Sequence, residues 1–305
     1  MSRWLCALVG AAVALTGAPA ALAAPDCPQP TTSRVLLSDQ GTLESVIVDR
    51  RGRLFFTTDG FLMRLDRPGA QPRVVTTVQN PGGLAIDEHG DVIVGFGNSA
   101  GNGAVGDVTG PSGLLRVDPD TGASQVYATG LSMANGVVRA PDGAYYATND
   151  LGSNVDRVVN GVTQRGWAHV DSGNGEAIDS TGRWLYVAQT FRPAAIARVD
   201  LMNPANVSTY VLADPPDWPA GPDGMTIDAA DRLFVAANGA GQIWRVDGTP
   251  PRICVVLRGL PGFPDGPSAV AVGARRGPFP PTNLYVVTFD GHLIEIANAA
   301  IAARR

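Results

Sequence analysis

One unit recurs along this chain and restricts its fold more than any other feature. The segments ESVIVDRRGRLFFTT, GGLAIDEHGDVIVGF, NGVVRAPDGAYYAT, NGEAIDSTGRWLYVAQ, DGMTIDAADRLFVAA and PSAVAV…TNLYVVT each read as a short strand, a polar turn and a second apolar strand. In the first five copies the phase is rigid: Glu44, Gly82, Asn135, Asn174 and Asp223 each stand ten residues before Leu54, Val92, Tyr145, Trp184 and Leu233. A third strand follows, often closing on Arg-x-Asp (FLMRLD, GLLRVD, AIARVD, QIWRVD), then a fourth such as RVVTTV, QVYAT or RICVVL. Copies begin at 44, 82, 135, 174, 223 and 267, and four strands in such an interval make one blade of a β-propeller. With 37 Gly, 24 Pro and 17% charged residues, composition also favours short strands and tight turns. The expected fold is all-β, a six-bladed propeller. The sixth copy lacks an outer strand, and SRVLLSD upstream of the first copy reads as its replacement. Residues 33–38 are therefore expected to complete blade six and close the ring, leaving no open edge.

The ends carry a different message. Arg3, the apolar run LCALVGAAVALTGAPA and the small-x-small triplet Ala21-Leu22-Ala23 read as a signal peptide cut after Ala23. Residues 1–23 are then the leader and 24–305 a single propeller domain, exported to an extracytoplasmic compartment. Export leaves Cys27 and Cys254, an isolated pair that suggests one disulfide in an oxidising compartment; two free thiols, one of them buried, are the alternative. Ring closure supports the pairing, since it sets Cys27 beside the outer strand of blade five that carries Cys254. The net charge of −5 comes without a basic face, which speaks against nucleic acid or an anionic membrane surface as partner. A small molecule is the expected partner and a monomer the expected state. The tail IEIANAAIAARR reads as a short terminal helix.

In a propeller the first strand of each blade lines the axis, so residues just before it gather on one face. Around the ring those positions hold Glu44, Gly82, Asn135, Asn174, Asp223 and Pro267 or Ser268. Two carboxylates and two amides in one phase suit a hard cation such as Ca²⁺, and the lack of His or Cys there argues against zinc. Four side chains leave room in the coordination sphere for water or substrate, as a working metal site requires. Each Asn-Gly or Asp-Gly pair taken singly is ordinary turn chemistry. The expectation is that turns deliver these side chains to the axis.

PDGMTIDAADRLFVA resembles the Pro-Asp-Gly-Met signature of the regucalcin/gluconolactonase (senescence marker protein) family, calcium-dependent six-bladed propellers related to diisopropylfluorophosphatase and the paraoxonases. SGNGEAIDSTGRWLYVAQT, MANGVVRAPDGAYYATND and LESVIVDRRGRLFFTT are similar to its two asparagine blades and its glutamate blade, and the likeness spans residues 34–297. The resemblance implies Glu44, Asn135, Asn174 and Asp223 as ligands of one catalytic divalent ion, usually calcium, with Asp223 as general base or nucleophile. Departures are specific. Ser45-Val46 follows Glu44 where Gly-Pro is common, Gly136 follows Asn135 where Asp is common, and Met133 stands where sugar-lactone members carry arginine. No histidine precedes blade two; His89, His169 and His292 lie elsewhere. Met133, Asn149, Asp150, Phe191 and Trp218, with Phe263, are the expected substrate-facing residues, and the Gly-rich loop 97–113 a candidate lid. The expected function is a calcium-dependent lactonase or esterase acting on an apolar rather than sugar-like ring. The alternatives are a phosphotriesterase-like hydrolase and a non-catalytic binding or scaffold propeller with a structural calcium.

Overall fold

Alternation at every second residue sorts each strand between two neighbours. In the strand Leu54–Thr58, Leu54 and Phe56 pack into one apolar cluster with Ala271 and Tyr285, while Phe55 packs into another with Val92 and Val94. In Tyr145–Thr148, Tyr145 and Ala147 face Ile93 and Leu114, and Tyr146 faces Leu185 and Val187. The core is thus six apolar layers, one between each pair of consecutive blades. The chain, seen in a computed structural model, is described over residues 24–302 apart from Pro30, Arg192 and 214–219. The expected signal peptide and Trp218 lie outside the described residues.

Six four-stranded antiparallel sheets form a six-bladed β-propeller. Their first strands are Val46–Val48, Leu84–Ile86, Val137–Arg139, Gly173–Ile178, Pro222–Ile227 and Pro267–Val272. Most turns between first and second strands are held by an aspartate that accepts two backbone N–H groups, the local bonding for which Asp is favoured in turns. Asp49 Oδ1 accepts from Arg51 and Arg53 at 2.9 and 2.8 Å, and Asp87 Oδ1 from His89 and Asp91 at 2.8 and 2.9 Å. Asp228 Oδ1 does the same with Ala230 and Arg232 at 2.9 and 3.1 Å.

Closure follows the sequence expectation. Thr32–Leu37 pairs antiparallel with Leu293–Ala297 and supplies the outer strand of blade six. Just before it, Cys27 N and Pro25 O bond the two backbone polar groups of Val255 at 2.8 Å each, and Cys27 is disulfide-bonded to Cys254. The N-terminal segment therefore straddles blades five and six.

One expectation about local structure is overturned. The tail is not helical: Leu293–Ala297 is a strand and 298–302 is irregular. Glu295, held there by Arg34, Asn283 and Tyr285, ties that strand into the sheet. The Gly-rich loop contains the helix Ala100–Thr109, capped by Ser99 and ended by Gly110 in the left-handed region. Two of its glycines, Gly103 and Gly106, serve close packing: a Cβ on Gly106 would sit 1.9 Å from Ser132 O. Asp107 fastens the helix to the neighbouring blade by accepting from Ser153 N at 2.7 Å and Asn149 Nδ2 at 2.8 Å. Among the described residues no helix is long and apolar enough to cross a membrane.

Candidate active site

Strands deliver two of the axis-facing residues, while Glu44 and Asn135 stand in the irregular segments just before the first strands Val46–Val48 and Val137–Arg139. Asn174 and Asp223 lie within their first strands, at register shifts between Gly173 and Glu176 and between Pro222 and Met225. Such bulges re-aim a side chain. The glycines after Asn135, Asn174 and Asp223 lie outside the left-handed region and answer to crowding at the axis. A Cβ on Gly136 would come within 2.4 Å of Asn174 O, on Gly175 within 2.4 Å of Gly224 Cα, and on Gly224 within 2.6 Å of Ser268 O.

A belt of hydrogen bonds passes between neighbouring blades and fixes the backbone of these residues. Gly83 N donates to Ala134 O at 3.1 Å, Thr148 Oγ1 to Asn174 O at 2.6 Å, and Thr190 Oγ1 to Pro222 O at 2.9 Å. Asn238 Nδ2 donates to Pro267 O at 3.4 Å and Ser268 Oγ to Leu43 O at 2.6 Å. Asn174 Nδ2 also reaches Thr190 Oγ1 at 3.1 Å, holding its amide in one orientation.

Glu44, Asn135, Asn174 and Asp223 together line a cavity of about 700 Å³. Met133, Asp150, Leu151, Phe191, Phe263 and Phe289 form part of its wall. Of the expected substrate-facing residues, Met133, Asp150, Phe191 and Phe263 are there. Asn149 is not among the lining residues: it is fully buried, and its side chain bonds Gly103 O, Asp107 and Leu151 N. None of the three histidines lines the cavity. A second, narrower cavity of about 240 Å³ shares the four axis-facing residues and continues between the first strands. Glu176 is buried there with neither carboxylate oxygen hydrogen-bonded, and burial pushes it well above the usual carboxylate range.

Asn98 and Asn238 were missed by the sequence reading because they follow second strands, out of phase with the axis-facing position. Asn98 Nδ2 donates to Glu44 Oε1 at 3.0 Å, across 54 residues of chain. Gly82 is bare because a Cβ there would sit 1.9 Å from Ala134 O, and it would also lie 3.1 Å from Asn98 Cβ. Blade two thus contributes an amide from its second strand where its first strand contributes none.

The carboxylates perturb one another. Burial, reinforced by the Asp150 carboxylate and eased by the Asn98 amide, raises Glu44 to about 7. Burial raises Asp150 to about 6. Asp223 is pushed well above its ordinary value by burial and by the charges of Glu44 and Asp150, against hydrogen bonds from Gly224 N and Asn174. A cation held between Glu44 and Asp223 would relieve those two. The donor set fits a hard divalent ion, being two carboxylates and two amides with no His or Cys lining the cavity. Among the described residues no group of three His, Cys, Asp or Glu side chains is arranged to hold a metal, so such a site depends on the two amides.

Comparison with known proteins supports the sequence resemblance. A family model described as an SMP-30/Gluconolactonase/LRE-like region matches residues 157–254. That stretch includes Asn174 and Asp223. A gluconolactonase from Xanthomonas campestris shares 17% identity at TM-score 0.69, with 93% of this chain and 99% of that one covered. A regucalcin from Agrobacterium tumefaciens, described as calcium-binding, shares 18% at TM-score 0.70, with 93% and 98% covered. Virginiamycin B lyase from Staphylococcus aureus shares 13% at TM-score 0.59, with 88% and 98% covered. At these identities the likeness establishes the fold, and a lyase among the neighbours shows that this fold hosts more than one chemistry. No curated protein matches the chain in sequence.

Proposed function

We propose that this chain is an exported, divalent-metal-dependent hydrolase, with calcium as the best-suited ion, that opens lactone rings or cleaves related esters. The observation that carries the reading is the convergence of Glu44, Asn135, Asn174 and Asp223 on one cavity with an apolar wall. A divalent ion held by these four residues supplies Lewis acidity toward a carbonyl oxygen. Asp223 is the base: a carboxylate oxygen takes the proton of the attacking water and returns it to the leaving alkoxide. The amide of Asn174, fixed by Thr190, and the amide of Asn98, bonded to Glu44, hold their neighbours in place before substrate arrives. Met133, Leu151, Phe191, Phe263 and Phe289 receive the apolar part of the substrate and exclude water around it. Met133, where an arginine would grip a sugar hydroxyl, favours an apolar ring. Export is supported by the leader-like N-terminus and by the Cys27–Cys254 disulfide.

The test is a panel of lactones and aryl esters assayed with added calcium. Hydrolysis should be abolished by EGTA and restored by calcium, and Asp223→Ala should lose turnover. Wild-type metal affinity and turnover in both Asp223→Ala and Glu44→Gln would overturn the assignment.

A further inference from the structure

Among the described residues, the charged side chains lining the 700 Å³ cavity are Glu44, Asp150 and Asp223, with no lysine, arginine or histidine. An anionic ligand would meet repulsion from these three carboxylates. Asp150 adds a specific signal, because its Oδ1 is buried without a hydrogen-bond partner. If a divalent ion engages Glu44 and Asp223, the Asp150 charge is left over. Backbone N–H groups of Asp150 and Leu151 serve this carboxylate, yet a buried oxygen left without a partner is costly unless a cation or a donor meets it. The same cavity presents three aromatic rings, Phe191, Phe263 and Phe289, and Phe263 stands at 78% exposure. Aromatic faces attract organic cations through the ring quadrupole, most strongly where water is excluded.

A carboxylate with one unpartnered oxygen and three aromatic rings on one cavity wall, with no basic side chain among its described lining residues, describe a receptor for an alkylated ammonium group. We infer that the cavity recognises an organic cation, so that the preferred substrate is an ester or lactone bearing an amine or quaternary ammonium. Asp150 supplies the counter-charge and the phenylalanines the soft contact, while the carbonyl to be attacked lies toward Glu44 and Asp223. The inference rests on the hydrolase reading only for turnover; recognition of the cation stands on the cavity itself.

The experiment uses the full chain with calcium in excess, so that the probe cannot act by filling the metal site. Binding of choline is compared with that of its neutral carbon isostere, 3,3-dimethyl-1-butanol, by calorimetry or saturation-transfer NMR. Choline should bind at least roughly ten-fold tighter. Asp150→Asn should bring the two affinities within about three-fold, the charge term having been removed. Phe263→Ala, at an exposed position that folding does not depend on, should weaken choline by roughly two- to five-fold and leave the isostere nearly unchanged. Equal affinities in the wild type, or a preference that Asp150→Asn does not touch, would overturn the inference. In the same buffer, the choline ester of acetic acid should show a lower KM than 3,3-dimethylbutyl acetate at similar kcat. Choline binding with neither ester hydrolysed would sink the hydrolase reading and leave the cation site standing. Equal turnover of both esters at equal KM would do the reverse.

Discussion

Glu44→Gln should make the metal-free protein more stable at pH 8 while destroying its metal response. Glu44 is pushed from 4.5 to about 7 chiefly by burial and by the Asp150 carboxylate. At about 1.4 kcal/mol per pH unit, ionising it inside the fold costs on the order of 3 kcal/mol. The sign follows from proton linkage. A carboxylate whose folded-state value is raised imposes no penalty below its unfolded value of 4.5; the penalty grows as pH rises toward 7 and is full above 7. Glutamine keeps the shape and an oxygen for the Asn98 amide, and it removes the charge. The variant should therefore gain on the order of 3 kcal/mol at pH 8 in EGTA, about 6 °C in melting temperature for a chain of this size. At pH 5 the gain should shrink to under about 1 kcal/mol. Thermal melts at the two pH values, with EGTA and then with calcium, read all of this. Calcium at a hundred times its Kd should stabilise the wild type by about 2.7 kcal/mol, more readily at pH 8 than at pH 5, and leave the variant unmoved. A Glu44→Gln protein no more stable than wild type at pH 8 in EGTA would refute the reasoning. So would an advantage of equal size at both pH values.

Two further outcomes are expected. The disulfide joins residues 227 apart in sequence, and chain entropy alone assigns such a cross-link about 5 kcal/mol; urea unfolding of the Cys27→Ser/Cys254→Ser protein should show a loss of that order, and a change under about 1 kcal/mol would mean that the β-pairing alone secures ring closure. Asn98→Ala removes the amide that holds Glu44, so calcium affinity measured by calorimetry should fall by roughly 10- to 100-fold, and an unchanged affinity would count against that role.

Much of the fold was legible because strands and blades are written in local periods. Alternation marks the strands, the ten-residue phase from Glu44 to Leu54 and its counterparts marks the first hairpin of each blade, and the missing outer strand of the sixth copy points to Thr32–Leu37. Composition does not say why the glycines of residues 97–113 are there. At Gly106 the reason is a helix pressed against Ser132, and at Gly136, Gly175 and Gly224 it is neighbouring first strands crowding the axis. Asn149 read as a rim residue, but its side chain is taken up in fastening the helix. The terminal helix failed because the buried Glu295 finds partners in Arg34, Asn283 and Tyr285 that no local pattern announces.

The sequence by itself determined the number of blades, the strand that closes the ring, and which residue types stand in phase before each first strand. These depend on repetition and alternation, which are properties of the chain taken in order. Only the tertiary structure decided that Asn98 meets Glu44, that Asp150 lines the same cavity and carries an unpartnered oxygen, and that the axis-facing carboxylates Glu44 and Asp223 are raised far from their ordinary values. Those facts arise from approach between segments distant in sequence, and from the exclusion of water that follows when blades close around an axis.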